Sequence, residues 1–149
     1  MSVHSNFCAI DFGTSNSGVA VRHADGGTHL VPLEGGQPTM PTAVFYFTDE
    51  DDSREAQDVQ RPDGALPRAY GRAAVAAYVG GHSGRLMRSL KSILGSSLAE
   101  QATDLGDGHA VRYLDVITGY LRHLRAAGEA AAGGPIERAV LGRPVFFVD

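Results

Sequence analysis

The sequence contains no tryptophan, one cysteine and one lysine among its 149 residues. A single thiol cannot close an internal disulfide, so a covalently stapled secreted scaffold is excluded and a reducing compartment is expected. Cys8 lies in the first apolar run and reads as a small core residue. No apolar run approaches the roughly 18 residues that a membrane-spanning helix needs. The amino end lacks the basic segment and long apolar stretch of a secretory leader, so a cytoplasmic location without a membrane partner is expected. The net charge of -4 gives no electrostatic reason to expect nucleic acid as a partner. Neither a GxxxxGK[ST] phosphate loop nor a GxGxxG dinucleotide fingerprint occurs, and the nucleotide folds built on them are excluded with them.

What is present describes a globular α/β domain with a real core: 43% hydrophobic and 20% charged residues are ordinary values. Lys91 stands against twelve arginines. If coding bias replaces lysine by arginine wherever either serves, the survivor marks a place that needs a compact ammonium; chance survival on a solvated face is the equal alternative.

Strands are expected at Phe7–Asp11, Gly18–Arg22 and Thr28–Leu33, joined by short connections into an antiparallel meander, with a further strand over Ala43–Thr48. The acidic stretch over 49–67 lacks apolar periodicity and reads as an exposed loop within an inserted small subdomain at 49–105. "AYGRAAVAAYVGG" reads as a short alanine-rich helix stopped by Gly80 and Gly81. Val111, Leu114, Ile117, Leu121 and Leu124 recur at steps of three and four, predicting a helix over 107–132 with Gly133, Gly134 and Pro135 as its stop. A buried closing strand is expected over 138–148, and an apolar run so near the carboxyl end reads as truncation. Histidines 4, 23, 29, 82, 109 and 123 show no metal-ligand spacing, and His123 reads as a surface or boundary residue of the long helix.

The stretch "AIDFGTSNSGVAV" carries the chemistry. A tight turn of Gly13, Thr14, Ser15 and Asn16 between two strands points backbone N–H groups into one concavity, which attracts phosphate oxygens; the two hydroxyls add donors. Asp11 at the strand end is placed to hold a divalent cation, through water as magnesium prefers. The alternative is an ordinary hairpin with a solvent-facing aspartate.

This stretch resembles the first phosphate motif of the actin, sugar-kinase and heat-shock chaperone superfamily, and most resembles the DnaK-type seventy-kilodalton chaperones, in a divergent DnaK-like branch. "GGQPTMPTAVFYF", "AYGRAAVAAY", "MRSLKSILGSS" and "AVLGRPVFFVD" resemble further family segments in the same order, covering nearly everything except the acidic stretch. The resemblance implies a ribonuclease-H-like fold and the N-terminal part of an ATPase domain over 1–149. It implies ATP or ADP with magnesium as ligands: Asp11 on the metal through water, Gly13, Thr14, Ser15 and Asn16 on the terminal phosphates. Lys91 would stand by the γ-phosphate, and Pro144 would match a proline of interdomain switching. It also implies unfolded polypeptide clients and co-chaperones for the complete protein. The family's second phosphate loop and adenine-holding segments are absent, so the chain alone is expected to be inactive. The rival readings are a resolvase-type nuclease, which needs three or four carboxylates around two metals, a sugar or acid kinase of the same superfamily, and a pure interaction module.

Overall fold

The structure, a computed structural model, describes residues 7–142. Its first sheet is built on β1 (Phe7–Phe12) and β2 (Asn16–Arg22), an antiparallel pair with Asp11 opposite Gly18 and Cys8 opposite Val21. Alternation is visible in β1: Cys8, Ile10 and Phe12 are buried, and Asp11 between them faces out. β3 (Thr28–Leu30) and β4 (Thr39–Pro41) pair with β2 end to end along its other edge, β3 at Ala20–Arg22 and β4 at Asn16–Gly18. The third strand is thus shorter than the expected Thr28–Leu33. Val31 still donates to the Val19 carbonyl at 2.8 Å, but Pro32 has no N–H to continue the ladder.

β5 (Ala43–Phe47) is buried at all five positions, which is why "AVFYF" shows no polar alternation. Ala43, Phe45 and Phe47 face a small core with Ala69, Ala74 and Ala77; Val44 and Tyr46 belong to the main core. β5 is the centre of a second sheet, flanked by β6 (Arg68–Tyr70) and β7 (Gly84–Arg88) and covered by α2 (Gly71–Val79). α2 ends at the expected glycine pair.

The acidic stretch, expected as a loop over 49–67, instead begins with helix α1 (Glu50–Glu55). Asp49 caps it, its Oδ1 accepting from the amides of Asp51 at 2.8 Å and Asp52 at 3.1 Å, and Glu50, Asp51 and Asp52 sit in the first turn, where the helix dipole favours negative charge. Runs of like charge therefore read as loop by composition and fold as helix by position. The Asp52 carboxylate also accepts from the Ser83 amide, tying α1 to the segment entering β7.

The long helix begins later than expected. Residues ahead of it form a hairpin, β8 (Ala102–Gly106) and β9 (His109–Arg112), turned by Asp107 (φ 52°) and Gly108 (φ 78°). Positive φ at both turn residues is what a two-residue hairpin of this hand requires. Val111 accordingly lies in β9. α3 (Tyr113–Ala132) then runs to a left-handed Gly133, as the glycine stop predicts.

The face α3 buries is Val116, Ile117, Tyr120, Leu124 and Gly128, rotated from the apolar stripe toward Tyr120, with Leu121 left half-buried. Tyr120 is admitted because its hydroxyl donates to the Pro41 carbonyl at 2.9 Å, while its ring packs on Phe12 and Tyr70. At Gly128 a Cβ would already stand 3.3 Å from Val19 and 3.1 Å from Ile136, so the helix rides close on β2. The chain closes on β10 (Arg138–Leu141), which pairs in parallel with β1. This strand, expected to be buried over 138–148, is exposed at all four described positions because it is the sheet's edge among the described residues. Pro144 and the remainder of that expected strand, 143–148, lie outside the described residues. No helix of the described residues is long and apolar enough to cross a membrane.

His123 stacks on Tyr70 at 4.5 Å between ring centres and 19° between planes. Burial holds its imidazole below the usual histidine value, with the Glu34 carboxylate pulling the other way. The unfolded chain therefore takes up this proton first. Stability should fall as pH drops below the unfolded value of about 6.5 and level off below the folded one. Urea midpoints measured across this range should show the decline, and a His123→Phe variant should flatten it. An unchanged slope in the variant would remove His123 as the cause.

Candidate functional site

The turn between β1 and β2 is three residues long, Gly13 to Ser15, with Asn16 opening β2. Asp11, Thr14, Ser15 and Asn16 are exposed, while the flanking Phe12 and Ser17 are buried. Gly13 is dictated by space: a Cβ there would lie 2.1 Å from the Asn16 carbonyl oxygen. No residue from 13 to 16 has positive φ, so the alternating-hand nest is not how this turn presents its amides. Its resource is three backbone N–H groups, those of Gly13, Thr14 and Ser15, that find no protein acceptor among the described residues.

A single residue from another segment sets the turn's shape. The Thr42 amide donates to the Ser15 carbonyl at 2.9 Å, and its hydroxyl donates to the Gly13 carbonyl at 2.8 Å. The Ser17 and Thr42 hydroxyls lie 2.7 Å apart. A threonine has one hydroxyl proton, and the Gly13 carbonyl can only accept; the second bond therefore runs from Ser17 to Thr42. Both hydroxyls are buried and fully used. Tyr120, bonded to Pro41 next door, backs this clasp; burial pushes its phenol up, with the Ser17 and Thr42 hydroxyls pulling the other way.

Asp11 stands at the carboxyl end of β1, beside the carboxyl end of parallel β10: the position of a Cβ on Gly142 would be 3.9 Å from its Oδ1. Open α/β sheets bind ligands beyond such strand ends. Among the described residues no cation pairs with Asp11. A carboxylate beside amides and the hydroxyls of Thr14 and Ser15, none of them with a partner among the described residues, is a set that fits a phosphate with a hydrated divalent cation.

Lys91 lies in a 3₁₀ turn over Leu90–Ile93, anchored by the fully buried Leu90 and entered through Ser89 in the left-handed region (φ 55°). The register connects it to the clasp. Arg88, the last residue of β7, pairs with Ala43, which comes directly after Thr42. Lys91 is three residues further on, at most about 10 Å of chain. It is half-buried and pairs with no carboxylate among the described residues. Asp11 and residues 13–16 thus share one hairpin end, and Lys91 comes just after the strand pair that ends beside it.

Two concavities occur elsewhere. One of about 290 Å³ lies between α3, β1 and β10, lined by Cys8, Ile10, Leu121, Arg125 and Leu141. The other, of about 890 Å³, is bordered by Glu34, Tyr70, Arg72 and His123. The turn lines neither. Sequence spacing did not reveal one cluster: His23, Asp25 and His29 come together across the β2–β3 connection. Their signal was the hairpin itself, since a cross-strand pair has no fixed spacing in sequence.

Replacing Thr42 by valine keeps the shape and removes the hydroxyl. Gly13 then loses its donor and the buried Ser17 hydroxyl its acceptor, costing about 1–3 kcal/mol. Chemical denaturation should show that loss, together with faster amide exchange or altered shifts confined to residues 12–17. Exchange unchanged there would mean that Thr42 does not hold the turn.

No protein-family model matches the chain.

Proposed function

We propose that the hairpin end carrying Asp11, Gly13, Thr14, Ser15 and Asn16, with Lys91, is the first phosphate-contacting half of an ATP site. The chain is then the N-terminal part of a ribonuclease-H-like, actin-type ATPase domain of the DnaK-like kind. The observation carrying this reading is the group of three amides on a turn locked by Thr42, beside a carboxylate, all without partners among the described residues. The topology supports it: an antiparallel meander, then helix α3, then a strand parallel to the first gives the order β10-β1-β2-β3. The sequence resemblance supplies the family.

In this reading the amides of Gly13, Thr14 and Ser15 and the hydroxyls of Thr14 and Ser15 bind the terminal phosphates. Asp11 would hold a magnesium ion through water, and the ion would supply neutralisation of phosphate charge. The Lys91 ammonium steadies negative charge on the γ-phosphate and orients the attacking water, which is catalysis by position and electrostatics. The complete protein would couple ATP hydrolysis to a chaperone cycle on unfolded polypeptide clients with co-chaperones. The nuclease reading has less support: among the described residues Asp11 belongs to no cluster of three or more metal-ligating side chains, and two metals need three or four carboxylates.

Titrating Mg-ATP into the isotopically labelled chain should move the amides of residues 13–16 weakly, and Asp11→Asn should diminish the magnesium-dependent part. In the full gene product, Lys91→Ala should lower hydrolysis by about 10²–10³-fold, the usual worth of one such contact. ATP affinity should change by less than about tenfold. Perturbations confined to other residues, or normal turnover in the lysine variant, would overturn the proposal.

A further inference from the structure

The β2–β3 connection brings two imidazoles and a carboxylate into one group. β2 buries Val19 and Val21 on the face toward α3, and continuing that alternation places His23 on the same side. The register puts His29 directly opposite Val21, so His29 and His23 are diagonal neighbours on one face. Their rings lie edge to face, 5.0 Å between centres. The loop holding them is tied by two backbone bonds, from the His23 amide to the Gly27 carbonyl at 2.8 Å and from the Gly26 amide to the His23 carbonyl at 2.9 Å.

Asp25 sits between the rings and is already oriented. Its Oδ1 accepts the Gly27 amide at 2.7 Å, which leaves Oδ2 for the histidines. Oδ2 is 3.2 Å from His29 Nε2 and 3.7 Å from His23 Nδ1, and one ligand atom from each residue lies within 4.8 Å of both others. Metal bonds of about 2.0–2.1 Å put the ligand atoms of a tetrahedral centre about 3.3–3.4 Å apart. The two oxygen–nitrogen edges bracket that spacing. Gly27 clears the space beneath: a Cβ there would meet Asp25 Oδ1 at 3.0 Å and His29 Nε2 at 3.1 Å.

We infer that His23 Nδ1, His29 Nε2 and Asp25 Oδ2 form a binding site for one late first-row divalent cation of the zinc class. Two imidazoles and a carboxylate select such an ion over magnesium or calcium, which take all-oxygen shells. All three side chains are more than half exposed, so the remaining coordination position is open to water. The site lies at the far end of β2 from the Gly13–Ser15 turn, about 20 Å away by strand rise over seven residues. It therefore stands or falls independently of the nucleotide reading. A bound ion would clip β3, exposed at all its positions, to β2.

The test uses untagged protein in a His4→Ala background, so that the amino-terminal histidine contributes nothing. Zn²⁺ titrated into it should bind at one equivalent, raise the unfolding temperature saturably and shift the ring proton signals of His23 and His29. Co²⁺ should give the intense visible bands of a four-coordinate centre, and excess Mg²⁺ should not compete. His23→Ala, His29→Ala and Asp25→Asn should each weaken Zn²⁺ binding at least about tenfold, the lower end of what even an outer-shell partner is worth. His82→Ala should leave binding unchanged. Absence of saturable Zn²⁺ binding, ring signals that do not move, or binding indifferent to the His23 and His29 substitutions would each overturn the inference.

Discussion

Thr42 is the residue on which the organisation of this molecule turns. Three hydrogen bonds converge on it from the first hairpin, two through its side chain and one through its amide. It also joins the two sheets, because β4 ends at Pro41 and β5 begins at Ala43. A buried hydroxyl is costly unless satisfied, and here both buried hydroxyls are satisfied only by each other and by the turn. The main sheet, the second sheet and the hairpin end are therefore fixed relative to one another at a single point. Tyr120 reinforces that point from the helix side by capping the carbonyl of Pro41.

From the clasp, position propagates along β5. With every residue of that strand buried, a one-residue slip would drive Ala43, Phe45 and Phe47 out of the small core and Val44 and Tyr46 out of the main one. The register of β5 against β7 is thus firmly specified, and so is the place where β7 ends and the Lys91 turn begins. Leu90, with no exposed surface, then pins the residue before the lysine. The backbone from which the long Lys91 side chain springs is thereby fixed.

Much of this was readable from residues. β1, β2, β5, the stop of α2 and the stop of α3 lie where short apolar and aromatic runs and glycine signals put them. The misses share a cause: each depended on a partner or a position rather than on composition. Asp107–Gly108 is a strong hairpin signal, yet Val111 also fitted a helical stripe, and periodicity alone could not separate them. α1 depends on Asp49 acting as the cap of residues 50–55, a role that an acidic composition hides. β4 is only three residues long and exists because β2 offers it an edge. The candidate site was partly legible: Asp11 and residues 13–16 read as a polar turn between two strands, which the fold shows, while Thr42 and Ser17 looked like ordinary polar residues until the fold joined them across 25 positions.

The chain also contains its own control for what a hairpin turn requires. β8 and β9 are closed by two residues in the left-handed region, and among the described residues no hydrogen bond from a distant segment reaches Asp107 or Gly108. That is the simpler solution, with backbone conformation alone reversing the strand. The turn between β1 and β2, one residue longer, reverses the chain without positive φ, with a glycine forced by crowding and with two buried hydroxyls committed to holding it. The extra constraints fix the direction of backbone amides that then bond to nothing in the described protein, beside a carboxylate in the same condition. Under the nucleotide proposal that rigidity has a use, because donors held in place before a ligand arrives need no reordering when it binds.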